Sequence, residues 1–430
     1  MTGEARYLEA DREQLRWDVV DLESQLPQEH RARVVWAFVE GLDLSGLYAR
    51  IRAREDTPGR PPPDPKILLG LWLLATLEGV GSARQLDRLC ERDVAYRWLC
   101  GGVAVNYHGL SDFRCDHGEV LDRLLTESLT ALVAEGIVKP EEIALDGTKV
   151  RASAGRGSFR KAAKLAELET AARERVRTLK AEVESDPAAS EKRRQAARRR
   201  GAEDVARRAE AARLALEKLQ AEKAERAKRH KKAEAEKNEV RASTTDAEAR
   251  MMRFSDGAVR AGYNVQLAVE PGSGIILAAA TTDRRNDAGM AGPMLEEVER
   301  RLGRRPKRVL ADTTYATRED IVAFAGKDVE VYTPVPEDKA GVTPETARKR
   351  ACQRQREHAA LKAWRARMAE QVGTAIYKAR AHIETVNGIL KGRGLGVMRV
   401  RSIAKVQCIA LLQALAHNLW RAHVLRANAT

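Results

Sequence analysis

The hydrophobic pattern of this chain changes from helical to strand-like only after about 140 residues, and a charged segment then interrupts the strands. Residues 1–140 carry apolar side chains at helical spacing. Strand patterns run over residues 142–146, 263–269 and 275–281, and the intervening residues 156–240 read as two long helices with few apolar positions. This order excludes an all-α or all-β chain. It predicts an α/β sheet domain that follows an all-α region and is split by a helical insertion.

The same pattern gives domain boundaries. We expect an all-helical N-terminal domain, a sheet domain in two pieces, an inserted basic helical hairpin, and a C-terminal tail. Their residues are 1–140, then 141–155 with 245–420, then 156–244, and finally 421–430.

The charge balance favours a polyanionic partner. The chain of 430 residues has 76 Lys and Arg against 62 Asp and Glu, a net charge of +14. Residues 156–240 hold 25 basic and 16 acidic residues, which gives 25 − 16 = +9 of that total. Nucleic acid is the commonest partner of such a chain. A charged, solvated spacer without a partner is the alternative for this segment.

Several classes of protein have no support in the sequence. The five cysteines are scattered without CxxC pairing, which indicates reduced thiols in a cytosolic protein and not a disulfide framework or zinc site. The N-terminus is acidic and polar, unlike a signal peptide. The longest apolar run, residues 67–77, is too short to span a bilayer. Motifs of the types GxGxxG, GxxxxGK[ST] and HExxH are absent.

Two aspartates each close a short apolar strand pattern. Asp146 follows residues 143–145 and Asp312 follows residues 309–311. Ligand sites form at such sheet ends, and a buried Asp is costly without a partner or a metal. Two carboxylates of this kind can bind Mg²⁺ and support phosphoryl transfer. The alternative is that each Asp caps the turn that follows it.

A third group lies on one predicted helix, residues 373–391. Tyr377, Arg380, Glu384 and Lys391 fall within roughly 60° of arc on a single continuous helix. A carboxylate flanked by cations and a hydroxyl suits a metal next to phosphates. Arg380 and Glu384 could instead form an ordinary surface ion pair.

Further polar residues compete for a role in the site. Lys149 and Arg151 follow Asp146 at alternate strand positions, so they share a side and could meet phosphate. Asp256, Asp283 and Asp287 are rival carboxylates, which we interpret as structural or DNA-proximal and not as ligands.

These motifs together resemble a known family. Asp146 in LDGTKVRAS, Asp312 in LADTTY and the spacing Tyr-x2-Arg-x3-Glu-x6-Lys from Tyr377 to Lys391 are similar to bacterial insertion-sequence transposases of the DDE type, YREK subgroup. The segments GYNVQLAV and RRNDAGM, and DPKILLGLWLLATLEGVGSARQLDRL near the N-terminus, share this similarity. One departure is Thr314, which stands where the family often has Gly.

The resemblance implies a fold and a set of roles. It implies an RNase H-like catalytic domain in which Asp146, Asp312 and Glu384 bind two Mg²⁺ ions, with Mn²⁺ as a substitute. Tyr377, Arg380 and Lys391 would then lie near transposon-end DNA. The N-terminal domain, residues 1–140, would bind that DNA, with residues 82–99 as the best candidate for a helix-turn-helix-like reader.

The implied function is that of an Mg-dependent DNA transposase of a mobile element. It would bind terminal inverted repeats, cleave phosphodiester bonds and join 3′-hydroxyl ends to target DNA, which is DNA recombination by transposition. The expected partners are double-stranded DNA and a second copy of the chain, in a homodimer or a larger synaptic assembly. The expected location is the bacterial cytoplasm, at the nucleoid when on DNA. Two alternatives stay open: a catalytically inactive, transposase-derived DNA-binding protein, and a metal-dependent nuclease without strand transfer.

Overall fold

The computed structural model describes residues 21–53, 61–185, 192–229, 239–336 and 343–428. Its N-terminal region is helical, as the periodicity predicts. The helices are α1 Leu22–Gln25, α2 Arg31–Glu40, α3 Ser45–Tyr48, α4 Pro65–Leu77, α5 Ala83–Arg92, α6 Val94–Cys100, α7 Tyr107–Asp116 and α8 Gly118–Ala134.

Helix α4 is the centre of this region. It begins at Pro65, because Asp64 accepts a hydrogen bond from the Lys66 amide at 2.8 Å and proline suits the first helical position. Nearly every residue of α4 is buried, and the Trp72 indole donates to the Leu110 carbonyl at 2.9 Å.

Helices α5 and α6 differ from the expected helix-turn-helix. Only Asp93 separates them, and its carboxylate accepts hydrogen bonds from the first amides of α6. A helix-turn-helix has a turn of about three to four residues. The two helices therefore form a tight corner whose geometry is set by the Asp93 cap.

A mixed α/β sheet domain follows, and it is consistent with an RNase H-like fold. Its strands are β1 Glu142–Arg151, β2 Phe159–Arg160, β3 Ala242–Ser243, β4 Arg250–Arg253, β5 Val259–Glu270, β6 Ile275–Thr282, β7 Arg308–Leu310 and β8 Glu330–Tyr332. The order in the main sheet is β4-β5-β1-β7-β8, with β6 also paired to β5, while β2 and β3 pair separately. Strand β1 pairs antiparallel with β5 and parallel with β7, as expected for neighbours in one sheet.

Helices cover this sheet. They are α11 Ala291–Leu302, α12 Arg318–Ala325, α13 Pro344–Gln355, α14 Ala359–Ala369, α15 Gln371–Lys378, α16 Ala381–Leu390 and α17 Ile403–Ala427. The buried residues of the N-terminal helices and of the sheet form one continuous core. Among the described residues, no helix has the length and apolar character to cross a bilayer.

Helix α17 closes the free edge of β6. The Asn418 amide exchanges two hydrogen bonds of 2.8 Å with the Ile276 backbone. The Gln407 amide accepts from the Thr281 N–H and donates to the Ala279 carbonyl, both at 2.8 Å. Side-chain amides thus replace a missing strand and protect the edge from pairing elsewhere. The same helix packs on α4, α7 and α8, so it joins the helical region to the sheet.

Between β2 and β3 the chain forms two long helices, α9 Ala162–Ser185 and α10 Lys192–Arg229, which pack on each other. The two helices and β3 share a small cluster of buried residues, Leu165, Ala212, Leu216 and Ala242. The residues Ser185-Asp186-Pro187 predict a turn between the two helices, and this turn lies, after Ser185, outside the described residues.

Several expected boundaries were wrong. The sequence pattern of residues 286–302 predicts a helix from Asn286, but α11 begins at Ala291, because the preceding loop turns at Gly289 with a φ of 73°. The last helix runs to Ala427, so most of the expected tail, 421–430, is helical. The sequence pattern did not single out helix α7 or strand β4 in advance.

Candidate active site

Asp146 and Asp312 emerge at the same edge of the sheet. The parallel register of β1 and β7 ends at the pair Ala144 and Leu310, and each aspartate lies two residues further along its strand direction. Asp146 remains paired with Leu267 of β5, so it lies inside β1 and not at the strand end that we expected. It lies instead at the end of the parallel pairing, where β1 and β7 separate.

The Asp146 carboxylate is held by two donors from the far end of the chain. Its Oδ1 accepts from the Arg380 guanidinium at 3.3 Å, and its Oδ2 accepts from the Asn387 amide at 2.8 Å. Burial raises the pKa of Asp146, and the charges of Asp287 and Asp312 add to this, while Arg380 opposes it. An ionised Asp146 therefore depends on its donors.

Asp312 is held by its own loop. The Thr314 N–H and hydroxyl donate to Asp312 Oδ1 at 3.0 and 3.1 Å. The Thr333 hydroxyl donates to the Asp312 backbone carbonyl at 2.8 Å. The threonine that departs from the family pattern thus adds a hydroxyl contact that Gly could not make.

The helix expected over residues 373–391 is two helices. Helix α15 ends at Lys378 and α16 begins at Ala381, so the expectation of one continuous helix was wrong. Arg380 lies at this break, where its backbone caps α16. The break leaves the Arg380 side chain 13% exposed between the two helices and the sheet.

Arg380 bridges two of the expected ligands. Its guanidinium donates to Glu384 Oε1 at 2.8 Å as well as to Asp146. Burial alone would lower the pKa of Arg380, but the charges of Asp146, Tyr377 and Asp312 and the hydrogen bond to Glu384 raise it overall. The Glu384 side chain is 64% exposed, so it is the open side of this cluster.

The other expected DNA contacts have different surroundings. Tyr377 is half-buried, and burial is the main cause that raises its pKa. Lys391 and Arg151 are exposed. The Lys149 ammonium donates to the Arg253 carbonyl of β4 at 2.7 Å, so it is already engaged by the sheet.

The rival carboxylates separate into two groups. Asp256 and Asp283 form ion pairs with Arg260 and Arg250. Asp287 instead accepts hydrogen bonds at its Oδ1 from the amides of Asn264 and Gln266, at 2.7 and 2.8 Å. The negative charge of Asp287 contributes to the raised pKa of Asp146, an effect that the sequence did not predict.

The Asp287 carboxylate can approach the amides of Asn264 and Gln266 because residue 147 is glycine. A Cβ at Gly147 would lie 1.9 Å from Asp287 Oδ1 and 2.6 Å from Gln266 Nε2. A glycine directly after a strand aspartate was the available signal for such a close approach.

We expect Gly147→Ala to expel Asp287 from its amide donors and to destabilise the protein by about 2 kcal/mol, as overpacking of a core does. The measurement is urea unfolding of both proteins. Gly201→Ala in α10 is the matched control, because no atom lies within 4 Å of its Cβ and alanine favours a helix. Equal midpoints for Gly147→Ala and the wild type would contradict the close packing described here.

The carboxylates of this site have the chemistry that suits a hard divalent cation, but their present arrangement does not suit one. Asp146, Asp312 and Glu384 offer carboxylate oxygens, which Mg²⁺ prefers. Within the described ranges, however, no three His, Cys, Asp or Glu side chains form a group that could hold a metal. The Arg380 guanidinium is the positive charge that Asp146 and Glu384 share in this structure.

Comparison with known proteins assigns two segments of the chain. Residues 239–419 match the family described as Transposase DDE domain, and residues 20–116 match the family described as Transposase domain (DUF772). Searches of the curated proteins and of the solved structures found no match. Asp312 and Glu384 lie inside the first segment, and Asp146 lies between the two, on a strand paired with β5 and β7. The two domain matches, together with the helical N-terminal region and the mixed sheet of which β1 lies outside both segments, support a DDE-type transposase.

Proposed function

We propose that this chain is an active DNA transposase of the YREK subgroup. It binds terminal inverted repeats, cleaves phosphodiester bonds at the element's ends and joins the 3′-hydroxyl ends to target DNA. The observation that carries the proposal is the Arg380 bridge, which draws Glu384 and Asp146 together across 238 residues of sequence, 384 − 146. Asp312 lies near enough for its charge to act on both Asp146 and Arg380.

In this proposal Asp146, Asp312 and Glu384 hold Mg²⁺, or Mn²⁺ in its place. Bound ions would activate the attacking hydroxyl and stabilise the leaving oxygen. The chain itself positions the groups: Asn387 holds Asp146, Thr314 holds Asp312, and Glu384 remains open to solvent. In phosphoryl transfer, positioning and charge stabilisation account for most of the catalysis.

Arg380 has two alternative partners in the reaction that we propose. Without DNA it neutralises Asp146 and Glu384. A guanidinium matches phosphate oxygens as well as carboxylates, through parallel N–H donors. We therefore infer that a phosphate of the transposon end draws Arg380 away and exposes the carboxylates to the cation.

Double-stranded DNA is the proposed partner, bound by a homodimer or a larger synaptic assembly. The net charge of +14 supports a polyanion, and each phosphate neutralised adds about 0.9 to the salt dependence of binding. Exposed Lys391 and Arg151 are the proposed phosphate contacts, together with Tyr377 and Arg380. The N-terminal helices are the proposed reader of the end sequence.

The test is a transposition assay on a plasmid that carries the coding region with its native flanking DNA. An active transposase releases 3′-hydroxyl ends and inserts them into a second plasmid. A nuclease cleaves without producing joined products, and an inactive relic binds the flanks without cleaving them. Only joined products support the proposal.

We also propose that α9 and α10 are an inserted basic hairpin that contacts DNA or a second subunit. The chain leaves and returns at one place, because Lys161 and Glu239 form an ion pair and β2 pairs with β3. The buried apolar side chains described for these two helices are few, which supports their dependence on each other or on a partner.

Replacing residues 162–238 by a short Gly-Ser linker is therefore expected to leave the catalytic domain folded with unchanged Mn²⁺ binding. We expect weaker binding to the native flanking DNA, or loss of the assembled complex, in gel-shift and light-scattering measurements. Unchanged affinity and assembly would support a solvated spacer instead. Loss of folding would show that the helices belong to the core.

A further inference from the structure

Asn387 contacts the site but has no role in the family resemblance. Its Nδ2 donates to Asp146 Oδ2 at 2.8 Å. The residue is 6% exposed, and its Oδ1 is buried without a hydrogen-bond partner in the part of the chain that the structure describes. A buried polar group is costly at a position that helix packing alone would fill with an apolar residue.

The position of Asn387 links the two halves of the site. It lies three residues after Glu384 on α16, so both side chains share a helix face. The buried residues Ile383, Val386 and Leu390 fix this helix on the core. A short, buried amide on such a helix holds Asp146 at a defined place relative to Glu384.

Asn387 and Arg380 contact the same carboxylate but differ in kind. Arg380 is a cation that also holds Glu384, so it competes with a metal for both carboxylates. Asn387 is neutral, holds one oxygen of Asp146, and leaves the other oxygen to whichever cation is present. Hydrogen bonds from a neutral donor such as the Asn387 amide orient metal-binding carboxylates and favour their ionised form.

We propose that Asn387 is a positioning residue for the cation site: it holds Oδ2 of Asp146 so that Oδ1 is available to the metal once Arg380 leaves. The inference rests on the proposed function, because it requires Asp146 to be a ligand. Neither the sequence motifs nor the domain matches give Asn387 this role.

The test is Mn²⁺ binding to the full-length chain without DNA, measured by calorimetry in the Arg380→Ala background, where the competing guanidinium is absent. Asn387→Leu keeps the volume and removes the amide. We expect it to weaken Mn²⁺ binding about 10- to 100-fold, the usual effect of losing a partner of a metal ligand. Asn387→Ser, which retains a donor, is expected to recover part of the affinity.

Thermal unfolding of the same proteins separates positioning from folding. A role in positioning leaves the unfolding midpoint of Asn387→Leu within a few degrees of its parent. Unchanged Mn²⁺ affinity overturns the inference. So does a loss of affinity that accompanies a large fall in the midpoint and is not recovered by Asn387→Ser.

Asp146→Ala in the same background distinguishes the inference from the proposed function. If Asp146→Ala abolishes Mn²⁺ binding and Asn387→Leu does not alter it, only the role of Asn387 fails. If Asp146→Ala binds Mn²⁺ as its parent does, the proposed cation site fails, and the role of Asn387 fails with it.

Discussion

Asp146→Asn, Asp312→Asn and Glu384→Gln are each expected to reduce cleavage of the native flanking DNA by about a thousandfold or more. Each change removes a charged oxygen ligand from the bound cation. Such a cation stabilises the transition state by several kcal/mol, and about 1.4 kcal/mol corresponds to a tenfold change in rate. The measurement is the rate of 3′-end release from a labelled duplex in the presence of Mg²⁺.

Binding of the same duplex is the control for these variants. Because the amide replacements keep the shape of each side chain, we expect DNA affinity to change little. Asp256→Asn is a matched variant, since Asp256 pairs with Arg260 on the surface and lies outside the cluster around Arg380. Retained cleavage in Glu384→Gln would place the third ligand elsewhere, and Asp287 would be the first candidate.

Arg380→Ala is expected to change metal binding and DNA binding in opposite directions. Without DNA, Mn²⁺ should bind at least about tenfold more tightly, because a close charge pair in a half-buried site is worth about 4 kcal/mol before the cost of desolvation. Affinity for the native flanking DNA should fall, and the slope of log K against log salt should decrease by about one.

Lys391→Ala is the matched control for that result. Lys391 is exposed and belongs to the same Tyr-x2-Arg-x3-Glu-x6-Lys motif, but it is Arg380 that forms ion pairs with Asp146 and Glu384. We expect the same decrease in salt slope and no change in Mn²⁺ affinity. Equal Mn²⁺ affinity in wild type and Arg380→Ala would contradict competition between the guanidinium and the metal.

Much of the fold follows from the sequence for local reasons. The Asp64 and Pro65 pair predicts the start of α4, and the period change at residue 142 predicts β1. The hairpin of β5 and β6 follows from the turn residues between two apolar runs. Each of these signals lies within a few residues of the element that it predicts.

The arrangement around Asp146 could not be predicted in the same way. The break at Arg380 has no Gly or Pro to announce it, and it arises where α15 and α16 pack separately. Asn387 contacts Asp146 across the fold, and Asp287 approaches it over Gly147. Such contacts depend on tertiary packing, and helical spacing alone places side chains on a face without naming their partner.

The most direct test of the central account is a crystal structure of the full-length chain with Mn²⁺ and a duplex from the native flanking DNA, using anomalous scattering to locate the metal. We predict Mn²⁺ bound by Asp146, Asp312 and Glu384, with Arg380 on a DNA phosphate. Mn²⁺ bound away from these three carboxylates, with Arg380 still between Asp146 and Glu384, would contradict it.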